Sequence, residues 1–377
     1  MALIDSLKNN EKIVVLVTGS SGYIALHCVQ QLLAEGYAVR GTVRSLCNPA
    51  KVNPLRDLKY SAERLELVEA DLQCPEHWFK AVEGCTYILH IASPWPVVAD
   101  ETIIQTAKNG TLNVLKAAAQ CPTVQKVVLT SSCTAITDGH KNDARVFDEL
   151  CWANVNSERV ENYGRSKIIA EKSAWEFWNA LPKSSRFQLT VLNPTLVVGP
   201  VLSDQKHGSA LIIRRMMHYF NFPAAPKVSV GMVDVRDVAR AHIRAMRYSD
   251  SDGERILITE TPSVWFSQIT KWLRQEFKNQ GFLISPFTAP NWLAKMYAKA
   301  TSDPHFNAIK YRLGPELRFD NSKSKKLLKM EYTPIKKSVV EMAYSMLDKG
   351  MIKTKKRTKK SKNDISQSIK TDQMPAK

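Results

Sequence analysis

Val14-Val-Leu-Val-Thr-Gly-Ser-Ser-Gly-Tyr-Ile-Ala25 is the stretch from which the fold follows. It opens as an apolar, β-branched run, the pattern of a strand buried on both faces of a parallel sheet. It breaks at Gly19 and resumes beyond Gly22 as a helix-periodic segment, Tyr23 to Leu33. Strand, glycine turn and helix in this order form the context of a dinucleotide fingerprint. Gly19 permits the tight turn, and Gly22 lets a pyrophosphate approach the backbone. Ala25 takes the third position, where helix and strand pack closely. The helix N-terminus offers N–H groups and the positive end of a dipole to phosphate. Gly19, Ser21, Gly22, Tyr23 and Ile24 are therefore candidate cofactor contacts.

The chain has 377 residues, 44% hydrophobic and 24% charged, which suits a soluble globular protein with a sizeable core. No apolar run approaches the roughly 18 residues of a membrane span. The first ten residues lack a basic segment followed by an apolar core, so a cytoplasmic location is expected. Seven cysteines, none in Cys-x-x-Cys spacing, argue against a disulfide framework or a zinc site, and no metal is expected. Net charge is +17, and residues 351–377 hold nine of the cations and only two acids. Lys353-Thr-Lys-Lys-Arg-Thr-Lys-Lys-Ser-Lys362 has no apolar periodicity and reads as a disordered basic tail, either simply solvated or in contact with an anionic partner.

Strand and helix patterns alternate after the first unit. Strands are expected at Ala38–Val43, Leu65–Ala70, Thr86–Ile91, Lys126–Thr130 and Gln188–Asn193, with helices near 76–83, 103–119 and 161–180. This predicts an α/β fold with a doubly wound parallel sheet of Rossmann type. Beyond Pro194 the pattern turns irregular. Helices near 208–220, 236–247, 264–277 and 335–348 surround one more strand, Arg255–Thr259, and suggest a smaller C-terminal substrate lobe. The expected division is a dinucleotide-binding core over 10–195, a lobe mainly over 196–350 with segments returning to the core, and the tail.

The second strand ends Gly41-Thr-Val-Arg44, without the acid that binds a ribose 2′-hydroxyl. Arg44 stands in its place and Lys51 follows. A guanidinium pairs two-pronged with a 2′-phosphate and an ammonium adds a point charge, which favours NADP(H) over NAD. Asp71, ending the third strand, suits either the adenine amino group or a plain capping role.

Tyr163-Gly-Arg-Ser-Lys167 places a phenol and an ammonium one helical turn apart. A nearby cation favours the phenolate, making Tyr163 a usable proton donor, and Lys167 can also hold a ribose. Tyr332-Thr-Pro-Ile-Lys336 repeats the spacing, but Pro334 interrupts the helix it requires. The fifth strand ends Leu129-Thr-Ser-Ser-Cys133, where Ser132, or its neighbour Ser131, can donate to a carbonyl oxygen. Phe220, Phe222, Trp265, Phe282 and Trp292 are either pocket lining or plain core. His207 is either a loop residue or a pocket residue.

Taken together these motifs resemble the extended short-chain dehydrogenase/reductases, and more narrowly the dihydroflavonol reductase and cinnamoyl-CoA reductase-like family. Further carrying residues are Glu69-Ala-Asp-Leu72, His90-Ile-Ala-Ser-Pro94, Asn109-Gly-Thr-Leu-Asn-Val-Leu115, Asn193-Pro-Thr-Leu-Val-Val-Gly-Pro200 and Val233-Asp-Val-Arg-Asp-Val-Ala239. The likeness runs from about residue 12 to about 348 and excludes the tail. It implies a monomeric or dimeric NADPH-dependent carbonyl reductase with Ser132, Tyr163 and Lys167 as catalytic set. It also implies that Leu72 and Ile91, Ala92 and Ser93 line the cofactor, that Pro194, Thr195, Leu196 and Val197 flank the nicotinamide, and that Ser209 lies close by. Two departures narrow the substrate. Val160-Glu-Asn-Tyr163 lacks the Trp-, Tyr- and Cys-rich surroundings of the cinnamoyl-CoA enzymes, and Thr137 replaces the asparagine of the flavonoid enzymes. An aldehyde or ketone whose identity the sequence leaves open is expected. Alternatives are alcohol oxidation of the 3β-hydroxysteroid dehydrogenase type, which an NAD⁺ preference would reveal, and a non-enzymatic dinucleotide sensor.

Overall fold

A computed structural model of the chain describes residues 10–94, 100–140, 145–205, 208–300 and 310–353. His207 and the basic run beyond residue 353 lie outside the described residues. The elements that frame the site are β1 (Val14–Val17), α1 (Tyr23–Ala34), β2 (Ala38–Val43), β3 (Leu65–Glu69), β4 (Tyr87–His90), α2 (Thr102–Gln120), β5 (Lys126–Thr130), α3 (Asn162–Ala180) and β6 (Gln188–Pro194). They are followed by β7 (Leu196–Val198), β8 (Ser229–Asp234), α4 (Val235–Arg247), β9 (Arg255–Ile258), β10 (Glu260–Trp265), α5 (Phe266–Phe277) and α6 (Ile335–Asp348).

Seven strands form one parallel sheet in the order β9-β6-β5-β4-β1-β2-β3. Val15, Leu16 and Val17 are completely buried, which is why the first strand reads as an unbroken apolar run rather than an alternating one. On one face α1 and α4 pack through Leu26, Val29, Leu33, Val238 and Ile243. On the other, α2 and α3 cover Leu16, Ile88, Val127 and Leu189 with Val114, Leu115 and Ala174. The chain leaves β1 toward β2 and β3 on one side and returns to β4, β5 and β6 on the other. The two directions part between β1 and β4, so their carboxyl ends open the crevice in which ligands of such sheets bind.

The strand Arg255–Ile258 is a segment of the C-terminal half that returns to the core. It pairs parallel with β6, Arg255 opposite Val191, and so extends the main sheet. All four of its residues are buried, and a short apolar strand of this kind needs a sheet neighbour to satisfy its backbone. A second sheet, β10-β8-β7, was not expected. Every residue of β8 is buried, so it shows no period of two. Behind this sheet Ile269, Leu273 and Phe277 of α5 meet Val339, Met342 and Met346 of α6 in a separate apolar cluster.

Helix α4 begins where Asp234 accepts the Arg236 backbone N–H at 2.7 Å, a cap worth about 1 kcal/mol. Tyr332, the discarded second tyrosine, donates to Ser324 Oγ at 2.8 Å, and Pro334 immediately precedes α6.

Candidate active site

The glycine turn is built for an anion. Gly19 lies in the left-handed region at φ 62°, and a Cβ there would stand 3.0 Å from the Ala92 Cβ. Gly22 caps α1 without a side chain, and the first turn of that helix carries no acid of its own, which favours an anion at this end. Thr18 fixes the turn to the end of β4. Its hydroxyl oxygen accepts the N–H groups of Ile91 at 3.0 Å and Ala92 at 2.9 Å, leaving its own proton for His90 Nδ1 at 2.9 Å. Burial, with the Lys167 charge second, holds the His90 imidazole down at about 3 and therefore neutral. Tyr23 also lines the crevice, but its hydroxyl donates to the Gly199 carbonyl at 2.7 Å and ties the turn to the segment after β7.

Arg44 is exposed at the end of β2, and Lys51 is half-buried near it. Burial and then the Arg44 charge lower the Lys51 ammonium below its ordinary value, so the two cations face a common space. The Lys51 ammonium donates to the Gln205 side-chain carbonyl. Asp71 accepts the Gln73 N–H at 2.8 Å, and the Leu72 carbonyl receives Asn113 Nδ2 at 2.9 Å, shaping the turn that follows β3.

Ser132, Tyr163 and Lys167 converge at the ends of β5 and α3. The Ser132 hydroxyl is near enough to the phenol to pull its proton affinity down, and the Lys167 ammonium stands 6.0 Å from the centre of its ring. The adjacent Ser131 is engaged elsewhere, donating to Glu171 at 2.5 Å. One expectation is corrected here: Tyr163 is not lowered. Burial pushes its phenol above the ordinary value, and coupling to the neighbouring Cys133 thiol and the Asp138 carboxylate adds to the rise. Ser132 and then Arg312 pull it down. Lys167 is itself held down, at about 8, by burial, against the opposing pull of Glu171.

All the residues expected at the site, from Gly19, Ser21, Gly22, Tyr23 and Ile24 through Arg44, Lys51, Asp71, Leu72, Ile91, Ala92 and Ser93 to Ser132, Tyr163, Lys167, Pro194, Thr195, Leu196, Val197 and Ser209, line one cleft of about 2300 Å³. Phe220 and Phe222 also line it, whereas Trp265, Phe282 and Trp292 do not. Phe282 is core at 8% exposure.

Two groups had no local signal. Arg312 reaches Asp138 at 3.2 Å across the cleft, and a Cβ on Gly164 would stand 2.8 Å from the Asp138 carboxylate. A glycine directly after Tyr163 is what lets that carboxylate lie against the first turn of α3. Behind Lys167, Glu171 is fully buried. It accepts Ser131 at 2.5 Å, Asn193 Nδ2 at 2.8 Å and Arg255 Nε at 2.5 Å, while Asn193 also donates to the Ser132 carbonyl at 3.1 Å. The Arg255 guanidinium lies 3.6 Å from the centre of the Trp152 ring.

The profile of the NAD dependent epimerase/dehydratase family matches residues 15–258. The chain belongs to this family. Within it, the chain falls in the dihydroflavonol reductase and cinnamoyl-CoA reductase-like group. Cinnamoyl-CoA reductase CAD2 of Medicago truncatula is 33% identical over 343 residues, spanning 89% of this chain and 96% of its own. The NADPH-dependent methylglyoxal reductase GRE2 of Saccharomyces cerevisiae is 30% identical over 357 residues, spanning 88% and 98%. The crystal structure of yeast methylglyoxal/isovaleraldehyde reductase Gre2 complexed with NADPH superposes with a TM-score of 0.73 at 27% identity, over 90% of this chain and all of that one. No cluster of three or more metal-ligating side chains occurs among the described residues. Nor is any described helix long and apolar enough to cross a membrane.

Proposed function

We propose that this protein is an NADPH-dependent reductase that converts a small aldehyde or ketone to the corresponding alcohol. One observation carries the reading: Ser132, Tyr163 and Lys167 line the same cleft as an uncapped helix N-terminus and the Arg44–Lys51 pair. NADPH-dependent relatives of the same group support it. The N-terminus of α1 would hold the pyrophosphate, Arg44 and Lys51 the 2′-phosphate, and Asp71 the adenine amino group. The bound dinucleotide supplies hydride. Ser132 donates to the carbonyl oxygen, and Tyr163 delivers the proton as negative charge develops there. Lys167 steadies the phenolate that remains and binds the nicotinamide ribose.

The first test is a screen of aldehydes and ketones followed by loss of NADPH absorbance; a protein that oxidises NADPH with none of them is not such a reductase. The second concerns the cofactor. Arg44→Ala weakens NADPH by about 10–100-fold in KM, the loss of a hydrogen bond to a charged group, and leaves NADH nearly unaffected. An equal effect on both cofactors would show that Arg44 does not read the phosphate.

The pH dependence follows from Lys167. Its ammonium is the useful form and is held at about 8 in the free protein, so kcat/KM falls as pH rises through about 8. The linkage to stability has the opposite sign. Between about 8 and the ordinary lysine value the unfolded chain binds more protons at this group, so its contribution to stability rises with pH while activity declines. A kcat/KM profile flat to pH 10 removes Lys167 from this role.

A further inference from the structure

The mouth of the cleft is bordered by a surface unlike that of an ordinary soluble enzyme. Phe220 is 88% exposed, Trp292 67%, Leu283 63%, Phe287 59% and Met296 55%. They belong to two segments joined backbone to backbone. Tyr219 N–H donates to the Leu283 carbonyl and Ala225 N–H to the Phe287 carbonyl, both at 2.9 Å, and Thr288–Ala289 pairs parallel with Ala225–Pro226. Phe220, Ala289, Leu293 and Ala294 line the cleft itself, so the apolar rim is continuous with the entrance to the site. Trp292 and Met296 lie one helical turn apart on the short helix Asn291–Ala300.

The charge of the same two segments has one sign. Residues 206–233 and 277–300 contain no aspartate or glutamate. Arg214, Lys227, Lys278 and Lys295 are exposed on them. Large exposed apolar groups set among cations without acids match a lipid headgroup layer, where aromatic rings enter the interface and lysines meet anionic phosphates. A second copy of this chain fits poorly, because it would bring the same cations face to face. We propose that this rim docks on the surface of an anionic lipid bilayer and presents the cleft mouth to it. The docking is peripheral, and the net charge of +17 with the cationic run 353–362 adds long-range attraction.

The test uses the full chain and does not depend on turnover, so its failure leaves the reductase reading standing. Vesicles of phosphatidylcholine alone, or with about 30 mol % phosphatidylserine, are sedimented with the protein at about 0.15 M salt. The protein is expected to pellet with the anionic vesicles and to stay in solution with the neutral ones. Combined Leu283→Ser, Phe287→Ser and Trp292→Ser substitutions, all at exposed positions, weaken binding to anionic vesicles by about tenfold or more. A chain ending at residue 353 still binds and still responds to those substitutions. Four results overturn the proposal: a wild-type protein that stays in the supernatant, a triple variant that binds as tightly as wild type, binding abolished by truncation alone, or a wild-type dimer that the triple variant returns to monomer.

Discussion

Tyr163→Phe lowers carbonyl reduction by about 10²–10⁴-fold while NADPH binding persists, because the substitution removes only the hydroxyl from a residue whose ring stays packed. The phenol is buried against Ser132 and lies beneath the Lys167 ammonium. Its elevated proton affinity keeps the phenol protonated around neutral pH, so the variant lacks the donor there. Loss concentrated in kcat, with cofactor affinity measured by fluorescence unchanged, is the expected pattern. Undiminished turnover would falsify the assignment of Tyr163 as proton donor. Turnover lost together with cofactor binding would instead mean that the ring serves mainly to shape the pocket.

The second large effect concerns a residue that touches no expected ligand. Glu171→Gln costs about 3–5 kcal/mol of stability, since it leaves the buried Arg255 guanidinium without its counter-charge. Urea unfolding checks this figure. The substitution also removes the group that holds the Lys167 proton in place against burial, so the alkaline fall in kcat/KM moves to lower pH than about 8. Glu171→Gln combined with Arg255→Met separates the two consequences. Stability recovers in large part because no buried guanidinium is left without a counter-charge, but the displaced pH limb remains. If the double variant regains the wild-type pH profile, Glu171 acts only as a structural partner of Arg255.

These residues show where sequence reading succeeds and where it stops. The strand Val14–Val17, the turn at Gly19 and the helix from Tyr23 were legible because strand burial, turn and helix start are all signalled within a dozen neighbouring residues. Tyr163 and Lys167 were legible as a pair because helical geometry converts a spacing of four into adjacency. Glu171, also four residues further on, looked like any surface glutamate. Its significance comes from Arg255, 84 positions away, and from Asn193 at the end of another strand. Arg312 and Asp138, separated by 174 positions, are hidden for the same reason. The upward displacement of the Tyr163 phenol was missed because spacing shows which charges are near but not how little water is. The second sheet was missed because a strand buried on both sides, such as Ser229–Asp234, lacks the alternation that marks a strand in sequence.

The Thr18 hydroxyl is shared among three partners contributed by the end of the neighbouring strand. The nucleotide platform is consequently assembled by the protein's own backbone, and the loop gives up little freedom when a dinucleotide arrives. Association should then approach the encounter-limited regime, with selectivity among nucleotides residing in how slowly each departs.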